Sequence, residues 1–130
     1  MIKIHDLSTG VLETFVEFEN NAAYNILFHP SGNYIITSRI DNSIQLWEID
    51  TKTPVKTFVG HTDNISSLTV SPDQQSLLSA SWDGSIRIWN IATTLADKKL
   101  KGHSGPVHVA IFNKDGKNIY SAGADRAIRV

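Results

Sequence analysis

The chain has 130 residues, with 12 Lys and Arg against 13 Asp and Glu, and no cysteine. Its length is that of one ordinary domain. The near-zero net charge gives no field drawing it to nucleic acid, membrane or an acidic partner, and the lack of cysteine excludes a disulfide scaffold and any thiolate metal site. Lys3, His5 and Asp6 interrupt the opening residues, which do not read as a signal peptide, and no apolar run nears the roughly 18 residues of a membrane span. An intracellular setting, cytoplasmic or nuclear, is the expectation.

Short apolar runs closed by Pro, Asp, Gly or Asn read as strands throughout. The first covers residues 2–7, a turn follows at 8–10, and a second covers 11–18. Two full four-strand units come next, at 23–28, 33–37, 43–49 and 55–59, then at 65–70, 76–79, 85–91 and 95–100. A shorter unit has strands at 107–112, 117–121 and 127–130. Residues 92–101 could be argued as a short helix, but the matching stretch 52–59 contains Pro54, Val55 and Phe58 and reads as an edge strand.

The units repeat. With His61, Asp83 and Trp89 as the ruler, a step of 42 reaches His103 and Asp125 in one direction, and Glu19, Asp41 and Trp47 in the other. The same step aligns Pro72 with Pro30, and Ser79 with Thr37 and Ser121. Agreement of His, Asp, Trp, Pro and hydroxyl positions at one period identifies a repeat array. The expected division is 1–18, strands of a preceding unit, then 19–60, 61–102 and the incomplete 103–130.

The motifs Gly60-His61, Gly102-His103, Ser79-Ala80-Ser81-Trp82-Asp83 and Ile86-Arg87-Ile88-Trp89-Asn90 resemble WD40 repeats of a β-propeller, over essentially the whole chain. The terminal Trp-Asp pair of that family stands here as Trp89-Asn90 and Trp47-Glu48. The resemblance implies an all-β fold of four-stranded antiparallel blades around a central channel, forming an incomplete ring within this chain. The residues themselves nominate no catalysis, no cofactor and no metal.

Buried imidazole and indole groups need partners. A structural network Trp89, Ser79, His61, Asp83 is expected, with Ser121, His103 and Asp125 as its third-unit version and Thr37, Asp41 and Trp47 in the first. Glu19 facing Asp41 cannot complete the same network, because both are carboxylates. A Ser, a His and an Asp together also suggest a hydrolase. Their recurrence in successive units instead reads as a structural device.

The resemblance places partner binding on the face carrying the loops before the first strand and between the second and third. Trp82 lies there, off the Trp47/Trp89 register, where the core needs no large aromatic. Trp82, Arg39, Tyr24, Asn64 and His108 are the candidate contacts to a protein or peptide partner, since exposed aromatics and Arg are favoured at hot spots. The five histidines follow no metal-ligand spacing. Arg87, Lys98, Lys99, Lys101, Lys114, Lys117, Arg126 and Arg129 read first as a solvated outer face, with contact to an acidic surface or RNA as the alternative.

About three repeats cannot close a ring, since propellers have roughly 4 to 8 blades. Either the chain is part of a longer propeller, or copies complete each other as a homodimer of six blades or a homotrimer of nine. Residues 2–7 and 127–130 both read as a third strand, a redundancy that also fits a part of a longer array. The leading functional expectation is a scaffold displaying loops to partners; the alternative is a self-assembling unit with no separate ligand.

Overall fold

The computed structural model describes residues 1–16 and 23–130. Its thirteen described strands form four antiparallel meanders that do not close into a ring. β1 (Ile2–His5) pairs with β2 (Leu12–Val16). β3 (Ala23–Phe28), β4 (Tyr34–Arg39), β5 (Ile44–Glu48) and β6 (Thr53–Phe58) make the first four-stranded sheet. β7 (Ile65–Val70), β8 (Ser76–Ser81), β9 (Ser85–Asn90) and β10 (Ala96–Lys101) make the second. β11 (Val107–Phe112), β12 (Ile119–Gly123) and β13 (Ile128–Arg129) make the last. The stretch that could be argued as a helix is the turn before β10 and β10 itself. Glu19, and with it the expected Glu19–Asp41 opposition, lies outside the described residues, as do residues 17–22 generally.

The period of 42 is visible in the backbone as well as the sequence. Left-handed residues fall on three repeat positions: Gly10, Lys52 and Thr94; Gly32, Gln74 and Gly116; Asn42, Gly84 and Arg126. Each is a tight turn between strands, where glycine is the least strained choice. The turns are also held by side chains. Asp6 Oδ1 accepts from the N–H groups of Ser8 (2.8 Å) and Thr9 (3.0 Å), and Asn90 Oδ1 accepts from Ala92 (2.9 Å) and Thr93 (3.0 Å). The amide oxygen of Asn90 thus does the work of a carboxylate, which is why the Trp-Asp pair tolerates Asn there.

The core lies between sheets. Ile2 and Phe15 pack with Ile35 and Trp47. Ile36, Ile44, Leu46 and Phe58 of the first four-stranded sheet meet Ile65, Leu77 and Trp89 of the second. Leu78, Ala80 and Ile86 then meet Val107 and Ala110. The two four-stranded sheets are therefore sandwiched by their neighbours, and a fully buried Leu or Ile contributes about 1.5–3 kcal/mol.

Each first strand carries an irregularity at the same place. The pairings Ala23↔Arg39 and Asn25↔Ser38 leave Tyr24 as an extra residue. Ser66 is extra between Ile65↔Ser81 and Ser67↔Ala80, and His108 between Val107↔Gly123 and Val109↔Ala122. These are β-bulges, which re-aim side chains at a strand's start.

Candidate functional site

The second unit's network is continuous. His61 Nδ1 lies 2.8 Å from Asp83 Oδ2, and His61 Nε2 lies 2.6 Å from Ser79 Oγ. The Trp89 indole N–H donates to the same Ser79 oxygen at 2.9 Å. Indole N–H can only donate and the carboxylate can only accept, so the directions follow: Trp89 to Ser79, Ser79 O–H to His61 Nε2, and His61 Nδ1–H to Asp83. This pattern uses a neutral imidazole. Burial does push the His61 pKa down from 6.5, against the upward pull of Asp83.

Asp83 anchors the turn as well. Its Oδ1 accepts from Ser85 N–H (2.8 Å) and Oγ (2.6 Å), and its Oδ2 from Thr62 N–H (3.2 Å). Burial alone would raise its pKa, but the bonds from Ser85, His61 and Thr62 outweigh that and hold it far below 3.8. In the last unit His103 joins Asp125 (2.8 Å) and Ser121 (2.9 Å). The His103 bond, with backbone donors from Ala127 and Ser104, holds the Asp125 carboxyl well below its usual range.

The first unit differs. Trp47 donates to Thr37 Oγ1 at 3.0 Å, but among the described residues Asp41 bonds to Ser43 and pairs with Arg39 at 3.8 Å rather than joining Thr37 and Trp47. Ser79 has no solvent exposure and both sides of its hydroxyl are occupied, so the Ser-His-Asp trio is a fastener with no room for a substrate. Among the described residues no group of three or more His, Asp or Glu is placed to hold a metal ion.

The loops before the first strand and between the second and third share one end of each sheet. The Trp82 N–H donates to Asn64 O at 2.9 Å, and the Ala124 N–H to Pro106 O at 2.8 Å, one period later. Trp82 is 49% exposed, with its backbone in the turn. Asn64 is half-buried beside it.

Three candidate contacts are placed differently from expectation. Arg39 ends β4 and is largely buried against Asp41, so it is no exposed loop residue. Tyr24 and His108 are not in loops either. Both are exposed bulge residues within β3 and β11, put there by the extra residue in each strand. Sequence reasoning missed the equivalence of Tyr24, Ser66 and His108, and it assigned Lys99 and Lys101 to a general outer face. Both lysines line a groove beside Trp82. The available signal for the bulge was the spacing Ile65, Leu68, Val70, where strict alternation slips by one.

Repeated four-stranded meanders, each fastened by a buried hydroxyl–indole or hydroxyl–imidazole bond, define a propeller-blade protein. The model of the WD40 family (WD domain, G-beta repeat) matches residues 13–48, 52–90 and 96–130, and the chain belongs to that family. It is 30% identical over 77 residues to COMPASS component SWD3 of Saccharomyces cerevisiae, covering 59% of this chain and 24% of that protein. It is 32% identical over 71 residues to the probable E3 ubiquitin ligase complex SCF subunit sconB of Aspergillus oryzae, covering 48% of this chain and 10% of that protein. It is 28% identical over 67 residues to the probable coatomer subunit beta' of Schizosaccharomyces pombe, covering 50% and 8%. The aligned region is thus a quarter or less of each of these relatives.

Proposed function

We propose that this chain is an intracellular interaction module, with blades at 19–60, 61–102 and 103–130, which presents one loop face to a protein or peptide partner. Trp82, Asn64, Tyr24 and His108 are the proposed contacts. One observation carries this reading. Trp82 breaks the repeat and lies half-exposed on the loop face, where its backbone N–H donates to Asn64 O. Family resemblance to named components of multiprotein complexes supports the same reading. The test is affinity capture with the wild-type chain and Trp82→Ala, alongside urea unfolding of both. Retained stability with loss of the captured proteins is expected. A variant that captures the same proteins, or that unfolds with a loss of several kcal/mol, would remove Trp82 from the contact set.

A second reading, ring closure by two or three copies of the chain, is favoured by the outer flanks. Ile26 and Phe28 are more than half exposed, whereas Ala110 and Phe112, one step of 84 later, pack into the core between sheets. Ile128 and Val130 are 79% exposed at positions where Ile86 is buried and Ile88 packs against the neighbouring sheet. Light scattering at several concentrations tests this: a defined species of two or three chains supports it, and a monomer at all concentrations overturns it.

A further inference from the structure

We propose that the groove between Trp82 and the paired lysines Lys99 and Lys101 takes an acidic peptide segment of a partner protein. This rests on the interaction reading above and names the chemistry of the partner. The groove has a volume of about 440 Å3 and lies between the second four-stranded sheet and the loop leading to β11. Trp82, Asp83, Lys99, Lys101, His103 and Ser104 are among its walls.

The repeat supplies an internal control. A position needed by the fold can stay constant from unit to unit, as with Asp41, Asp83 and Asp125. The equivalents of Trp82, Lys99 and Lys101 one period earlier are Ile40, Thr57 and Val59. The blade therefore forms without an aromatic or a cation at any of these places. All three change together, in one groove, in the second unit.

The charges there are not neutralised internally. Lys99 and Lys101 sit two residues apart on β10 and so share a face of that outer strand. Among the described residues neither has an ion-pair partner. Asp83, the carboxylate in the groove, is committed to His61, Thr62 and Ser85. Lys99 also stands directly opposite Arg87 across the β9–β10 ladder. Like charges so placed repel, and a bound carboxylate would offset that repulsion.

Trp82 adds a flat apolar wall for a side chain next to the acid, which fits a short acidic and apolar segment. Nucleic acid fits less well. It calls for a basic stripe along the chain's surface, whereas this protein has a net charge of −1.

The test uses fluorescence anisotropy with two labelled peptides, one of Glu and Leu and the other of Gln and Leu in the same order. Each is titrated with wild type, Lys99→Gln/Lys101→Gln, and Trp82→Ala. Wild type should prefer the Glu peptide by about threefold to tenfold, as expected for two exposed ion pairs. The preference should shrink with added salt and vanish in the double lysine variant, while Trp82→Ala should weaken both peptides. Equal affinity for the two peptides overturns the proposal, as does a Glu preference that survives in the double lysine variant. Tighter binding of a labelled oligonucleotide than of the Glu peptide overturns it too. Partner capture that depends on Trp82 but not on the lysines overturns this inference alone. Capture indifferent to Trp82 removes that residue from the proposed contact set, and this inference falls with it.

Discussion

Trp89 and His61 meet through a single oxygen: Ser79 Oγ lies 2.9 Å from the indole nitrogen and 2.6 Å from the imidazole. Removing that oxygen leaves two buried groups without a partner, at about 1–3 kcal/mol each. Ser79→Ala should therefore cost roughly 2–6 kcal/mol. Thr37→Ala, which strips one partner from Trp47, should cost about half as much. Urea unfolding of the two variants ranks them; equal losses would mean that the His61 bond adds nothing.

The same network sets a pH dependence. Burial holds the folded pKa of His61 below its ordinary 6.5. A neutral imidazole therefore stabilises the fold fully above about pH 6.5, and that contribution is lost as pH falls below it, because the unfolded chain binds the proton first. Asp83 and Asp125 are held below 3.8, so their contribution is present above that value and disappears as pH falls further. Unfolding free energy measured from about pH 8 down to about pH 3 should fall in two stages. His61→Gln should flatten the upper stage. An unchanged slope in that variant would assign the upper stage to another group.

Thr94 is β-branched yet left-handed, with φ of 64°, at the position where Gly10 stands two repeats earlier. Thr94→Gly relieves strain of about 1–2 kcal/mol, while Gly adds unfolded-chain entropy of about 0.5–1. A net gain of up to about 1 kcal/mol in thermal or urea unfolding is expected. Gly84→Ala, at φ of 79° in the turn held by Asp83, should lose stability. A destabilised Thr94→Gly would show that the hydroxyl or methyl matters more than the backbone.

Gly123 admits no side chain for a different reason. A Cβ there would stand 2.7 Å from His103 Nδ1 and 2.9 Å from Pro106 O. Gly123→Ala should push His103 off Asp125 and cost about 1–3 kcal/mol. At Gly60 the nearest atom to an added Cβ is the tip of Arg87, which can swing away, although Trp89 is only 3.1 Å off. Gly60→Ala should be the milder change. The shift of the His103 imidazole resonances in the Gly123 variant provides a second readout.

The period of 42 made the strands and the His61–Asp83 fastener legible, because both depend on residue types that recur at fixed positions. What the period hid is backbone irregularity. Tyr24, Ser66 and His108 share a bulge although their side chains have nothing in common, so no residue type marks it. Arg39 was misplaced for a similar reason: Ser81 and Gly123 occupy its position elsewhere, and neither hints at a cation folded back on Asp41. Asn42 and Arg126 adopt a left-handed backbone that only Gly84, among the three, advertises. Lys99 and Lys101 were visible as charges, but their convergence on Trp82 requires the turn and the outer strand to be placed side by side.

Among the bonds that cross between sheets at their first strands, two repeat. Asn25 Nδ2–H donates to Ile65 O at 2.7 Å, and Ser66 O–H donates to Val107 O at 2.5 Å. The two acceptors are one period apart, so both four-stranded sheets clasp the same carbonyl of the sheet that follows. Melting of one sheet therefore loosens the start of the next, and thermal damage spreads along the array as coupled neighbours rather than as independent units. Amide exchange in β7 would consequently report on Asn25, a residue that lies in a different sheet.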